Sequence, residues 1–344
     1  MRYRQPRGGA SDGVVRQRPG LAFQRTVSRR FVHRAAVAEV LVTDAVVLGD
    51  DHFLVGSQWP RDHALYHPDV HRGSDPLLFA ETIRQALVYL AHWHYGVPLT
   101  HRFVGYDMAF EITNPDALRV GGEPMRAELE AWWRWTDKRP PRRYGARLEV
   151  RLSVSGRVCG RGSLRVVALD ERSYRIVRRR DTVAGLVATA RARLPQRVES
   201  ELVGRLRDKD SVLAPGSSAD EWQLCVDLDH AILFDHPTDH LPLMVLLEGF
   251  RQLGHLLTHD AVSWASPSCT LVSTVLDCLA FGELDLPTRI VVRESAPRMS
   301  AAPAEWRLRL DALQGDTLIA KCDSTWAPVC PETPREPPLN LAAT

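Results

Sequence analysis

The sequence predicts an α+β fold of two tandem units, each a long central α-helix wrapped by a curved antiparallel β-sheet. Three observations lead there. The stretch Leu77–Leu90 (LLFAETIRQALVYL) is apolar apart from Glu81, Arg84 and Gln85 and a few small or weakly polar positions. The stretch Met244–Leu257 (MVLLEGFRQLGHLL) repeats the pattern with Glu248, Arg251 and Gln252, 167 residues further on. Each stretch is followed by runs that alternate apolar and polar residues around turn signals, the mark of half-buried strands.

Spacings of three and four put each Glu, Arg and Gln on one face of a helix. A helix that is apolar nearly all round must be covered on every side, and a curved sheet does this with the fewest elements. In chain order, residues 1–28 read as a disordered leader, rich in Arg, Gly and Gln up to Pro19. The first unit spans residues 29–180. It opens with Phe31-Val32-His33-Arg34 and Glu39-Val40-Leu41-Val42, runs through the strand-like His52–Gly56, and reaches HPDVH (His67–His71) before its helix. Ala146–Val154 then alternates, turns at Ser155-Gly156, and returns over Val158–Val167. Asp181–Glu201 holds a helix ended by Pro195 and includes the linker, residues 181–200. The second unit, residues 201–327, repeats the order: Leu202-Val203-Gly204-Arg205, Asp210-Ser211-Val212-Leu213, Glu221–Val226, and HPTDH (His236–His240), then the helix. Ile290-Val291-Val292 adds a strand, and WRLRL from Trp306 turns at Gln314-Gly315-Asp316 and comes back over Leu318–Ser324. The offset drifts only from 171 to 167 residues, so the chain is an internal duplication. Residues 328–344 form an irregular proline-rich tail.

With 344 residues, 44% hydrophobic and 25% charged, the chain is long enough for two cores. A net charge of +2 gives no call for nucleic acid. No apolar run has the length of a membrane span and no signal-peptide core is visible, so the expected location is the cytoplasm. Among Cys159, Cys225, Cys269, Cys278, Cys322 and Cys330 there is no C-x-x-C pair and no zinc-finger spacing. Free thiols, no metal and no cofactor are expected. The His67/His71 and His236/His240 pairs lie beside prolines, as turns rather than helical ligand pairs. His92 and His94 read as helix-end residues.

A helix wrapped by an antiparallel sheet and duplicated in tandem is the pattern of a double hot-dog fold. Asp235-His236-Pro237, Pro242-Leu243 and Glu248 follow the layout of the hot-dog dehydratases: a histidine loop, a Pro-Gly step and a helical acid. Leu243 departs from the glycine found there, and narrows the approach to a thioester carbonyl. The motifs reach further. FVHRAAVAEVLVTD (Phe31–Asp44), FLVGSQWPRDHALY (Phe53–Tyr66) and AETIRQ (Ala80–Gln85) resemble the A-factor biosynthesis (AfsA) family. So do LVGR (Leu202–Arg205), LFDHPTDHLP (Leu233–Pro242) and LLEGFRQ (Leu246–Gln252) in the second unit.

That resemblance implies an acyltransferase that moves a β-ketoacyl group from acyl carrier protein to dihydroxyacetone phosphate. The ester then closes toward a butenolide, on the way to a γ-butyrolactone signal. It also implies that Glu81, Glu248 and Arg251 are the catalytic positions. Such alcoholysis needs a base, an oxyanion donor and a phosphate clamp. The expectation is Glu81 as base, raised toward neutral pH by burial, with Arg251 on the phosphate or β-keto oxygen and Glu248 orienting Arg251. Arg84, Gln85, Gln252, His236 and Arg61 are the substrate-binding candidates, Arg61 toward phosphate or carrier protein and His236 toward the thioester. The bland alternative for each Glu–Arg pair is a structural ion pair. The rival functions are a hot-dog dehydratase or thioesterase, and a non-catalytic acyl or lactone receptor. The chain is expected as a monomer or homodimer.

Overall fold

The computed structural model describes residues 20–180, 195–261, 269–298 and 305–328. The alternating runs become strands that join one antiparallel sheet. In the first unit these are β1 (Val42–Gly49), β2 (His52–Trp59), β3 (Arg102–Ile112), β4 (Met125–Arg139), β5 (Arg143–Val154) and β6 (Arg157–Leu169). In the second they are β7 (Leu213–Pro215), β8 (Glu221–Leu224), β9 (Cys269–Cys278), β10 (Thr288–Arg298), β11 (Glu305–Gln314) and β12 (Thr317–Pro328). The spatial order is β1-β2-β4-β5-β6-β3-β9-β12-β11-β10-β8-β7. Read from each outer edge inward, the two halves have the same connectivity. They meet where β3 pairs with β9, Met108 opposite Leu276 and Phe110 opposite Thr274.

The wrapped helices are α1 (Leu77–Trp93) and α3 (Leu243–Ala261). Every residue of α1 except Arg84 and Trp93 is buried, as the all-round apolar pattern requires. The helix lies so close to the sheet that a Cβ at Gly162 would come within 2.6 Å of Ile83 and 2.9 Å of the Ala109 carbonyl. Glycine is needed there for the approach rather than for a turn. The β5–β6 hairpin does turn at Ser155-Gly156, both with positive φ (51° and 73°), which matches the right-handed twist of the strands.

Three features differ from the sequence expectation. A further helix, α2 (Glu171–Arg180), closes the first unit where only strand and loop were read. Residues 20–28, assigned to the leader, run against the first unit: Val27 N–H donates to Val42 O, and Ala22 N–H to the Asp44 carboxylate. The helix expected within Asp181–Glu201 falls mostly outside the described residues. Among the described residues, no helix is long and apolar enough to cross a membrane.

Candidate active site

The two E-x-x-R-Q faces build two buried polar clusters with the same plan. In each, the glutamine fastens the helix to the segment that leads into the unit's first strand. Gln85 accepts from Leu41 N–H (2.8 Å) and donates to Glu39 O and Glu81 (2.7 Å each). Gln252 accepts from Val212 N–H (2.8 Å) and donates to Asp210 O (2.7 Å) and Glu248 (2.5 Å). Both N–H donors and the oxygen of each amide are therefore engaged inside the fold, and neither glutamine lines the cavity of either unit. Gln85 and Gln252 thus take structural places.

The glutamates differ in which arginine holds them. Glu81 is shared: Arg84 donates through Nε and Nη2 (2.8 Å each), and Arg34 through Nε (3.0 Å), with Nη2 at 2.6 Å. Burial raises the Glu81 carboxyl, but Arg34 and Arg84 outweigh it and bring it to about 2. The expectation of a base poised near neutral pH is corrected accordingly: two guanidinium groups hold this carboxylate ionised and fully bonded. Glu248 is held by Arg205 alone, through Nε (2.7 Å) and Nη2 (2.6 Å), while the third arm of Arg205 reaches Asp75 (2.7 Å). The expected Glu248–Arg251 pair is replaced by this one. Arg205 was not a sequence candidate, and Arg34 was not either, because they stand 43 and 47 residues from their glutamates. The signal was present in the aligned VHR and VGR triplets.

Arg251 is consequently released. Its Nη1 donates to Val203 O (2.7 Å) and Gly204 O (3.2 Å), and among the described residues no carboxylate lies within 4.0 Å of it. Burial, with Arg205 close by, lowers its guanidinium to about 10, so it stays charged at neutral pH but lacks a counter-charge in contact. It lines a cavity of about 870 Å³ together with His67, Asp75, Arg205, His255 and Trp326. Arg61 is on this cavity too; it is exposed and donates to Gly121 O (3.2 Å), while Trp59 beside it is core. His67 Nδ1 faces the Pro68 carbonyl at 3.0 Å, so it carries the proton and leaves the lone pair on Nε2, which has no partner among the described residues.

A matching cavity of about 520 Å³ lies over the first cluster, lined by Arg29, His33, Arg84, Arg102, His236 and His240 among others. Burial, then His92, Arg84 and His236, lower His33 to about 3. Burial and the neighbouring Arg84 and Arg34 also lower His236, whose Nδ1 is 3.7 Å from Asp235. Each cavity mixes both units. His236 reaches the first helix from the second unit, and His67 and Asp75 reach the second helix from the first. The clusters approach each other at Tyr66, whose hydroxyl pKa is raised well above its ordinary value by burial, then by Glu248 and Glu81. Among the described residues no group of three or more His, Cys, Asp or Glu is placed to hold a metal ion.

A tandem hot-dog protein with mirrored Glu–Arg clusters at its seam is the class this geometry defines. The A-factor biosynthesis hotdog domain matches residues 15–170 and 187–330, and the chain belongs to that family. It is 34% identical over 299 residues to a 2-oxo-3-(phosphooxy)propyl 3-oxoalkanoate synthase of Streptomyces virginiae, covering 86% of this chain and 96% of that one. It is 33% identical to a synthase of the same name from Streptomyces coelicolor, over 68% of this chain and 73% of that one. Among solved structures, it is similar to a 12:0-ACP thioesterase from Umbellularia californica, with 11% identity, a TM-score of 0.47, and 80% and 94% coverage.

Proposed function

We propose that the chain is an acyltransferase that esterifies the primary hydroxyl of dihydroxyacetone phosphate with a β-ketoacyl group from an acyl carrier protein thioester. The hydroxyl oxygen attacks the thioester carbonyl carbon, the C–S bond breaks, and the thiol leaves with a proton. The ester feeds a γ-butyrolactone or butenolide signal. The observation that carries this reading is the near end-to-end match to the Streptomyces virginiae synthase, beside a family match whose two segments span the residues of both cavities.

The second unit's cavity fits the chemistry best. Arg251 is a deeply set cation with no carboxylate in contact among the described residues, suited to the phosphate or to the oxygen that gains charge in the transition state. His67 lines the same cavity as a polar contact for the substrate. Glu248 and Glu81 act as positioning residues, fixing Arg205 on one side and Arg34 and Arg84 on the other. His236 and Arg84 line the first cavity as substrate contacts of the companion site, and Arg61 stands at the rim of the second toward the carrier protein. A carrier-protein donor fits a cytoplasmic enzyme, working as a monomer or homodimer without cofactor.

The test is the product mass spectrum from a β-ketoacyl thioester supplied with dihydroxyacetone phosphate, with dihydroxyacetone, or with neither. A phosphorylated ester formed only with the first supports the reading. Free β-keto acid in all three reactions would make the protein a thioesterase, and tight acyl binding without turnover would make it a receptor.

A further inference from the structure

Each cavity has an apolar recess beside it, and the duplication lets the two be compared position by position. The recess next to the second unit's cavity measures about 190 Å³ and is walled by Pro76, Ile112, Leu118, Leu271, Val272 and Ala327 among others. It adjoins that cavity: Asp69, Gly73, Ser74, Pro76, Thr270 and Leu271 line both. Its internal counterpart, next to the first unit's cavity, measures about 70 Å³. There Leu243 occupies the place that Pro76 holds in the first unit, one residue before the matched pair Leu77 and Met244. The Leu243 side chain reaches across: a Cβ at Gly105 would lie 3.0 Å from its Cδ1. Phe281 fills the same recess from the other side, its ring against His240 at 4.9 Å. That recess meets the first cavity only at His240.

We infer that the acyl chain of the donor is seated in the open recess walled by Ile112, Leu118 and Val272, and that the second unit's cavity is therefore the working site. Leu243 and Phe281 narrow the companion recess, so the first cavity has no apolar side chamber of comparable size to take a chain. An acyl chain entering from the Arg251 cavity passes Pro76 and Leu271 and lies against the apolar side chains of Ile112, Leu118, Val272 and Ala327. The residues at the far wall then limit its length: Leu118 is 4% exposed and Ile112 6%, both fixed in the core, while Val272 is partly exposed on β9. Chain-length preference is thus written into β3, the 3₁₀ turn after it and β9, not into the helix that carries the polar cluster.

This inference rests on the acyl-transfer reading, and the experiment separates their failures. A series of β-ketoacyl thioesters of rising length is assayed with dihydroxyacetone phosphate, using the parent, Val272→Phe, Leu118→Ala and Leu279→Phe. Val272 is partly exposed, so that variant tests the recess without emptying the core. The expected result is a shift of the optimum to shorter chains in Val272→Phe and to longer chains in Leu118→Ala. One methylene is worth about 10-fold or somewhat more in discrimination, and the KM for dihydroxyacetone phosphate should hold steady. Leu279→Phe, which fills the companion recess further from an exposed position, should keep the parent's length profile. The inference is overturned if Leu279→Phe moves the profile, or if neither recess variant does. A parent enzyme that makes no dihydroxyacetone phosphate-dependent ester at any length would instead sink the acyl-transfer reading.

Discussion

Arg84 and Arg251 occupy the same place in their units, yet only one of them is bound to its glutamate. The difference lies in the partner arginine. Arg34 leaves room on Glu81 for a second guanidinium, whereas Arg205 takes both oxygens of Glu248 and also reaches Asp75. Such a difference is invisible in the sequence, where both helices read E-x-x-R-Q. The spacing located the clusters, but the long-range arginines that complete them arrive from loops. Arg251→Ala should therefore lower kcat/KM by about 10²–10³, the usual cost of losing a charge-stabilising donor. The expected signature is a larger loss with dihydroxyacetone phosphate than with dihydroxyacetone, which a merely structural role would not give. Glu81→Gln should cost activity by a different route, by loosening Arg34 and Arg84, so thermal unfolding run in parallel should show a lower Tm. Equal activity and unchanged Tm in Glu81→Gln would contradict that assignment.

At the scale of elements, the hairpins and both wrapped helices were legible because their periods of 2.0 and 3.6 residues are set by burial on one or all sides. α2 was not, since its run of Arg gives it no apolar stripe wide enough to stand out; Tyr174, donating to Asp239 at 2.5 Å, and Arg178, paired with Glu283, dock it. One close contact holds α3 in its sheet. A Cβ on Gly254 would fall 2.2 Å from the ring of Trp326, a bulky side chain that is itself buried. Gly254→Ala should destabilise the protein by about 1–3 kcal/mol despite the better helix propensity of alanine. Chemical denaturation can check this, and a variant as stable as the parent would mean that α3 and β12 shift apart freely.

For the whole molecule, the two units are tied by charge as well as by the continuous sheet. Arg205 of the second unit binds Asp75 of the first, and the Asp235 carboxylate accepts from the Ala35 and Ala36 amides at 2.7 and 2.9 Å. The duplication could be read from the repeated motifs, whereas this cross-bracing could not, because it joins positions that do not match each other in the repeat. Acid should undo it in two stages. His33 and His255 are each lowered to about 3 in the fold, by burial and then by neighbouring His92 or Arg251, from 6.5. Their contribution is complete above pH 6.5 and falls away as pH drops toward 3, because the unfolded chain binds those protons first. Glu81, lowered to about 2 from 4.5, adds stability above pH 4.5 that is lost as pH falls toward 2. Unfolding free energy measured from pH 8 to pH 3 should decline from about pH 6.5 downward, with a shallower decline in His255→Gln. A profile flat between pH 6.5 and 5 would contradict the buried neutral histidines.

The most direct measurement follows thiol release from a β-ketoacyl-acyl carrier protein while dihydroxyacetone phosphate is varied, with the ester product counted in the same samples. Transfer at the seam predicts that thiol release saturates with dihydroxyacetone phosphate and that each thiol is matched by one phosphorylated β-keto ester. Thiol release that ignores dihydroxyacetone phosphate and yields free β-keto acid would contradict it.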